Sequence, residues 1–157
     1  MRVINFTIGC ILLILTISVT SSFATIGEVS ITSGSAVIDR QDGDKGITVE
    51  KELDIFSYDT VKTGNGKVGI SFIDETRVDV TEHSKLIIDE FVYDPKTKTG
   101  SLTLKATLGT VRYASGQIAK NSKQNVKIST PTATIAVRGT DFAMTVNEIG
   151  GSTIVLL

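Results

Sequence analysis

His83, the only histidine of the chain, stands in the turn Thr81-Glu82-His83-Ser84 and is the first residue to test for chemistry. A Ser–His–Asp relay needs three side chains converging in space, a matter of fold rather than of spacing, and a lone histidine between two strands reads as a surface turn. A zinc site wants three or four ligands, which one histidine in a chain whose lone thiol is Cys10 does not supply. Asp74-Glu75 and Asp89-Glu90 are adjacent carboxylates. Glycosidase carboxylates face each other across a cleft rather than along a chain, so these pairs read as a turn and a solvent-facing edge. Asp39, Asp42 and Asp44 around Gly43 hint at calcium. The regular ligand spacing and bidentate Glu of a calcium loop are missing, and a solvated turn fits better. Gly64 to Gly69 matches G-x-G-x-x-G. That motif cradles a pyrophosphate only where its glycines open a helix. Val68, Ile70 and Phe72 alternate into a strand instead, which makes Gly64-Asn65-Gly66 a hairpin turn. No catalytic, cofactor-binding or metal-binding residue is assigned, and neither an enzyme nor a small-molecule cofactor is expected.

Thr130 to Met144 is different, because its parts agree with one another. Pro131 lacks an N–H and suits a strand entry or an edge. Ala133, Ile135 and Val137 then point one way, Thr134 and Ala136 the other. Gly139 allows a turn with positive φ or a close strand approach. Phe142, Met144 and Val146 resume an apolar face. Arg138 and Asp141 flank the turn at a spacing that suits a bidentate pair. The pattern favours a structural corner between two core strands; the alternative leaves Arg138 free to grip an anionic partner.

The elements around this stretch alternate with period two and break at Gly, Asn and Asp turns, from Thr25 almost to the end. Short strands at this spacing predict an all-β domain over residues 25–157, sandwich-like, barrel-like or solenoid-like. No linker or charge block marks a second domain. The first 24 residues read as a signal peptide: Arg2, an apolar run from Ile8 to Val19, then Ser22 and Ala24 at the −3 and −1 positions of a cleavage site. An uncleaved membrane anchor is the alternative, and only then is a membrane a partner. Cys10 lies inside the run, so the mature chain has no thiol and no disulfide framework. The chain holds 16 basic and 17 acidic residues, a balance that gives no electrostatic case for nucleic acid. Its last residues, Thr153-Ile154-Val155-Leu156-Leu157, form a bare apolar strand that is either buried or continued in a longer chain.

At Thr130, Pro131, Ala133, Ala136, Val137, Arg138, Gly139, Thr140, Asp141 and Phe142 the chain resembles the FecR-like domain family, whose signature reads TP-x-A-x-x-(G/A)-V-R-G-T-(D/E)-F. The stretch Tyr58 to Leu86 resembles the family's preceding block, and Leu104 to Lys120 its middle strand pair. Two departures stand out. Glu75 replaces a hairpin glycine, which implies another turn type, and Tyr58 replaces the glycine before Asp59. The resemblance implies an extracytoplasmic β domain, periplasmic or at the cell surface, of solenoid-like or sandwich-like form. Founding members relay an outer-membrane receptor's state to a cytoplasmic sigma factor. This chain is expected to lack the cytoplasmic anti-sigma segment and to resemble stand-alone exported FecR-domain proteins. The function expected is binding of a protein or cell-envelope partner, in envelope sensing or signalling. The alternative is a structural or adhesive surface protein, the N-terminal part of a longer chain.

Overall fold

Alternating inward and outward side chains, punctuated by tight turns, give thirteen strands and one helical turn in the computed structural model, which describes residues 24–157. The leader expected over Met1–Ala24 lies outside the described residues except for its last one. In chain order the strands are β1 (Gly27–Ser33), β2 (Ala36–Asp39), β3 (Ile47–Thr48), β4 (Asp54–Ile55), β5 (Thr60–Thr63), β6 (Lys67–Phe72), β7 (Arg77–Val80), β8 (Lys85–Asp94) and β9 (Thr99–Ala114). Helix α1 (Gln117–Asn121) follows, then β10 (Val126–Ser129), β11 (Thr134–Val137), β12 (Phe142–Val146) and β13 (Ser152–Leu156).

The strands form one sheet folded over on itself into two layers, as the sandwich-like expectation has it. The front layer runs β4-β1-β6-β7-β9-β12-β13. The back layer runs β3-β2-β5-β8-β9-β10-β11. All pairings are antiparallel except β9 with β10. Strand β9 belongs to both layers: residues up to Leu108 pair with β8, and Gly109 onward pair with β12. Between the layers lies one apolar core. Val29, Ile70, Val78 and Val111 enter it from the front, and Ile38, Leu86, Ile88 and Leu104 from the back.

The fold line explains the glycines. The chain switches layers at Ser33–Ala36, at Gly64–Gly66, at Thr81–Ser84 and within β9 at Gly109, and these four corners stack into a seam. Gly64 donates to the Ser35 carbonyl at 2.8 Å and His83 to the Gly64 carbonyl at 2.9 Å. Ser84 ties the last two corners, because its Oγ accepts the Thr110 N–H at 2.9 Å. Close packing forbids side chains there: a Cβ on Gly66 would meet the Ser33 carbonyl oxygen at 2.2 Å. So Gly64-Asn65-Gly66 is not a hairpin. Strands β5 and β6 lie in different layers, and the turn is a corner.

Two more expectations need correction. The β6–β7 turn keeps a left-handed residue, with Glu75 itself at φ 68°. Phe72 and Thr76 close it through Glu75 N–H to Phe72 O at 3.0 Å and Phe72 N–H to Thr76 O at 2.9 Å. That pattern fits a three-residue hairpin whose last position favours glycine. Tyr58 likewise sits at φ 71°. Both departures from the family pattern therefore place a bulky residue where glycine costs least. The second correction concerns Asp74, which is fully buried rather than solvent-facing.

Candidate functional site

Opposite the seam, the two layers open and must be closed by chain that crosses between them. Helix α1 carries the chain from the end of β9 in front to β10 at the back. The signature segment Arg138–Asp141 carries it from β11 at the back to β12 in front. Asp74 fixes the first crossing. Its carboxylate accepts the Thr76 N–H at 3.1 Å, the Thr76 hydroxyl at 2.8 Å and the Ile118 N–H at 3.2 Å. Its carbonyl accepts the Gln117 N–H at 2.7 Å. A buried carboxylate is tolerable here because donors meet it.

The signature residues divide by role. Thr130 tightens the β10–β11 turn, its N–H reaching the Ala133 carbonyl at 2.8 Å. Pro131 is exposed in that turn, beside Gly150 of the β12–β13 turn. Val137 is buried at the end of β11. Gly139 has φ 80°, yet a Cβ on it would find only the Ala119 carbonyl oxygen at 3.9 Å; it supplies a backbone angle, not a close approach. Thr140 is exposed, and its carbonyl accepts the Ser115 hydroxyl at 3.2 Å. Asp141 accepts the Ser115 N–H at 2.8 Å. Phe142 is buried and stacks on Tyr113, with ring centroids 5.3 Å apart. The expected Arg138–Asp141 pair does not form, because Asp141 is spent on the end of β9. Arg138 is exposed and makes no ion pair with any of the described residues.

The remaining residues with chemical potential are dispersed. His83 is exposed on the seam, at φ 51°. Asp89 pairs with Lys105 at 2.9 Å on the back layer, with Glu90 exposed beside it. Asp39 binds Lys62 and the Gly46 N–H, and Asp42 accepts the Asp44 N–H at 3.3 Å. Among the described residues no group of three His, Cys, Asp or Glu is placed to hold a metal. Asp59, buried beneath Arg40 at 3.2 Å, has its pKa raised by burial against the pull of the Phe56 N–H and that guanidinium.

Two features escaped the sequence. The Tyr113 hydroxyl is buried at the open end without a hydrogen-bond partner among the described residues. Burial pushes its pKa up to about 12, against the weaker pull of the Thr76 and Ser115 side chains, which come near it without reaching hydrogen-bond geometry. A raised folded-state pKa contributes stability that is whole below the unfolded value near pH 10 and lost as pH climbs to about 12. Wild type should therefore lose up to roughly 3 kcal/mol more than Tyr113→Phe across that window. At pH 7 the substitution should cost nothing, since it removes an unsatisfied buried group. Urea melts of both chains from pH 7 to 12 check this, and parallel profiles would refute it.

The second feature is the edge of the front layer. Among the described residues strand β13 pairs only with β12. Leu157 donates to the Asp141 carbonyl at 3.0 Å and Asn147 to the Gly151 carbonyl at 2.9 Å. By antiparallel alternation, Thr153, Val155 and Leu157 spend their backbone groups on β12, while Ser152, Ile154 and Leu156 turn theirs outward. Ile154 is 41% exposed, Val155 55%, Leu156 70%, Leu157 63%, and Ile149 in the preceding turn 91%. Ile154 and Leu156 lie opposite Met144 and Phe142 on the inner face, so the core face runs on past its cover.

A family model described as FecR protein matches residues 59–157, from buried Asp59 through the signature and β13, and leaves β1–β4 outside. No curated protein and no solved structure matches the chain. With more than half its length matched and the signature crossing the open end of an all-β fold, the chain belongs to the FecR protein family.

Proposed function

We propose that this chain is an exported, non-catalytic FecR module that binds a protein or cell-envelope partner in envelope sensing or signalling. It takes an extended segment of that partner at the free edge of β13. One observation carries the reading: this edge is apolar, uncharged and open. Sheet edges are normally blunted by lysine, proline, bulges or a covering element, and Ser152–Leu156 has none of these among the described residues. Strand addition supplies affinity through backbone hydrogen bonds and specificity through alternate side chains. The dispersal of His83, Asp74 and Asp89 supports the non-catalytic part, and the family's association with envelope sensing supports the setting.

A second reading rests on Arg138, whose guanidinium is free of ion pairs to the described residues while its neighbours close the fold. In that reading Arg138 grips an anionic group of the partner beside the recess that Lys120, Gly139 and Thr140 line. The two readings part in one capture experiment from envelope extract. Ile154→Pro removes an outward N–H and should abolish capture by the edge. Arg138→Ala should leave both the melting curve and capture unchanged. The reverse pattern would move binding to the signature.

A further inference from the structure

We propose that the outer face of the front layer is a second binding site, which takes an acidic saccharide chain across β1, β6, β7 and β9. These are internal strands of the layer, so the site stands apart from the edge of β13. Two recesses of about 530 and 270 Å³ meet there, and Ile31, Asp79 and Arg112 border both.

Three departures from a plain sheet face converge on these recesses. The first is in β1. Alternation would put Ile31 on the inward face with Val29. Ser30, however, is an extra residue in the pairing with β6, where Val29 faces Ile70 and Ile31 faces Gly69. This bulge turns Ile31 outward, leaving it 57% exposed beside fully buried Val29. Bulges are frequent next to active sites, where they re-aim a side chain.

The second departure is Gly69, in the middle of β6. Its φ is not positive, so no turn demands glycine there, and glycine within a strand marks a close approach. A Cβ on Gly69 would meet the Asp79 Oδ1 at 3.1 Å and the Ser30 Oγ at 3.2 Å. Asp79 lies between Gly69 on one side and Arg112 on the other. Its carboxylate leans over the glycine and makes no ion pair with Arg112.

The third departure follows from the second: two guanidiniums are left free. Arg77 faces Ala114 and Asp79 faces Arg112, which makes Arg77 and Arg112 diagonal neighbours on one face. Both are exposed, and neither pairs with any described residue. Diagonal neighbours lie about 7–8 Å apart, within reach of two long side chains converging on one carboxylate.

The groups around the arginines select the ligand. Asp79 repels a bare anion, so the ligand must bring a hydroxyl donor beside its acid group. Ser30 and Ser71 supply hydroxyls, and Ile31 offers an apolar side chain to the C–H face of a sugar ring. An acidic peptide fits less well, because these four strands spend their backbone groups on one another and its main chain finds no partner. Four strands about 4.8 Å apart make a face roughly 14 Å across, room for more than one sugar ring.

Calorimetric titration of the full chain with trigalacturonate tests this. Binding should appear below about 5 mM at low salt and weaken as added salt screens the arginines. Arg77→Gln and Arg112→Gln should each weaken it about ten-fold or more, the loss expected for a hydrogen bond to a charged group. The methyl-esterified trimer should not bind. Gly69→Ala should also weaken binding, because it pushes Asp79 back onto Arg112. Its melting curve should not fall, since the crowded atoms are ends of side chains that can turn away. Asp79→Asn separates the ligand classes: it should weaken trigalacturonate, whose hydroxyls lose an acceptor, and tighten hexaglutamate, which loses a repulsion. Free galacturonate should bind at least about ten-fold more weakly than the trimer. No binding of the trimer at about 5 mM overturns the proposal, and so does tighter trimer binding by Asp79→Asn. Equal affinity for hexaglutamate overturns it in favour of an acidic peptide, and equal affinity for free galacturonate in favour of a small sugar acid.

Discussion

Phe142→Ala is expected to destabilise the fold by about 3–5 kcal/mol, the range for truncating a buried aromatic ring. Phe142 is 3% exposed and is the first residue of β12, immediately after the signature crossing. Its ring lies on Tyr113 of β9 with an interplanar angle of 26°. The substitution leaves a cavity beneath the crossing and removes a stacked pair worth roughly 0.5–1.5 kcal/mol beyond its area. Denaturant melts of wild type, Phe142→Ala and Phe142→Leu measure it, with leucine recovering part of the loss. A cost below about 1 kcal/mol would mean that the ring does not anchor the crossing.

Gly109→Ala is expected to cost about 3 kcal/mol or more, from three effects at one corner. The residue has φ 78°, and the added Cβ would lie 2.1 Å from the Ser84 Oγ and 2.6 Å from its Cα. Left-handed backbone with a side chain costs about 1 kcal/mol, and overpacking about 1–3 kcal/mol. Displacing Ser84 also breaks the bond it accepts from Thr110. Gly139→Ala is the control, since φ 80° there comes with open space; it should cost only the backbone part, about 1 kcal/mol. Equal losses in thermal melts would show that the seam is not close-packed at Gly109.

What could be read from the sequence was the local pattern. Alternation located the strands, and the apolar rows of β6, β8 and β12 emerged buried as expected. Layer assignment was beyond it. A corner and a hairpin share one local signature, glycines between alternating strands, so Gly64–Gly66 was read as the commoner turn. Which layer each strand joins depends on partners far along the chain. Asp141 illustrates the same limit: its spacing from Arg138 suited a pair, but the Ser115 N–H, delivered by the end of β9, takes the carboxylate. The burial of Asp74 depends on α1 docking over it, and a five-residue helix is too short to show periodicity. The Asp74-Glu75-Thr76 order did hold a usable signal, since Asp two residues before Thr suits a side-chain-to-backbone turn. Of the two expectations for the apolar strand Ser152–Leu156, burial does not hold among the described residues, where Ile154, Val155 and Leu156 are exposed.

Amide hydrogen exchange on the dilute chain, free and with the proposed partner captured from envelope extract, tests the central claim most directly. In the free chain the N–H groups of Ser152, Ile154 and Leu156 should exchange rapidly, and those of Thr153 and Val155 slowly, because the second set is bonded to β12. Partner binding should slow the first set by about ten-fold or more, as expected of backbone groups drawn into a ladder. Protection gained instead at Arg138–Asp141, with β13 unchanged, would contradict it.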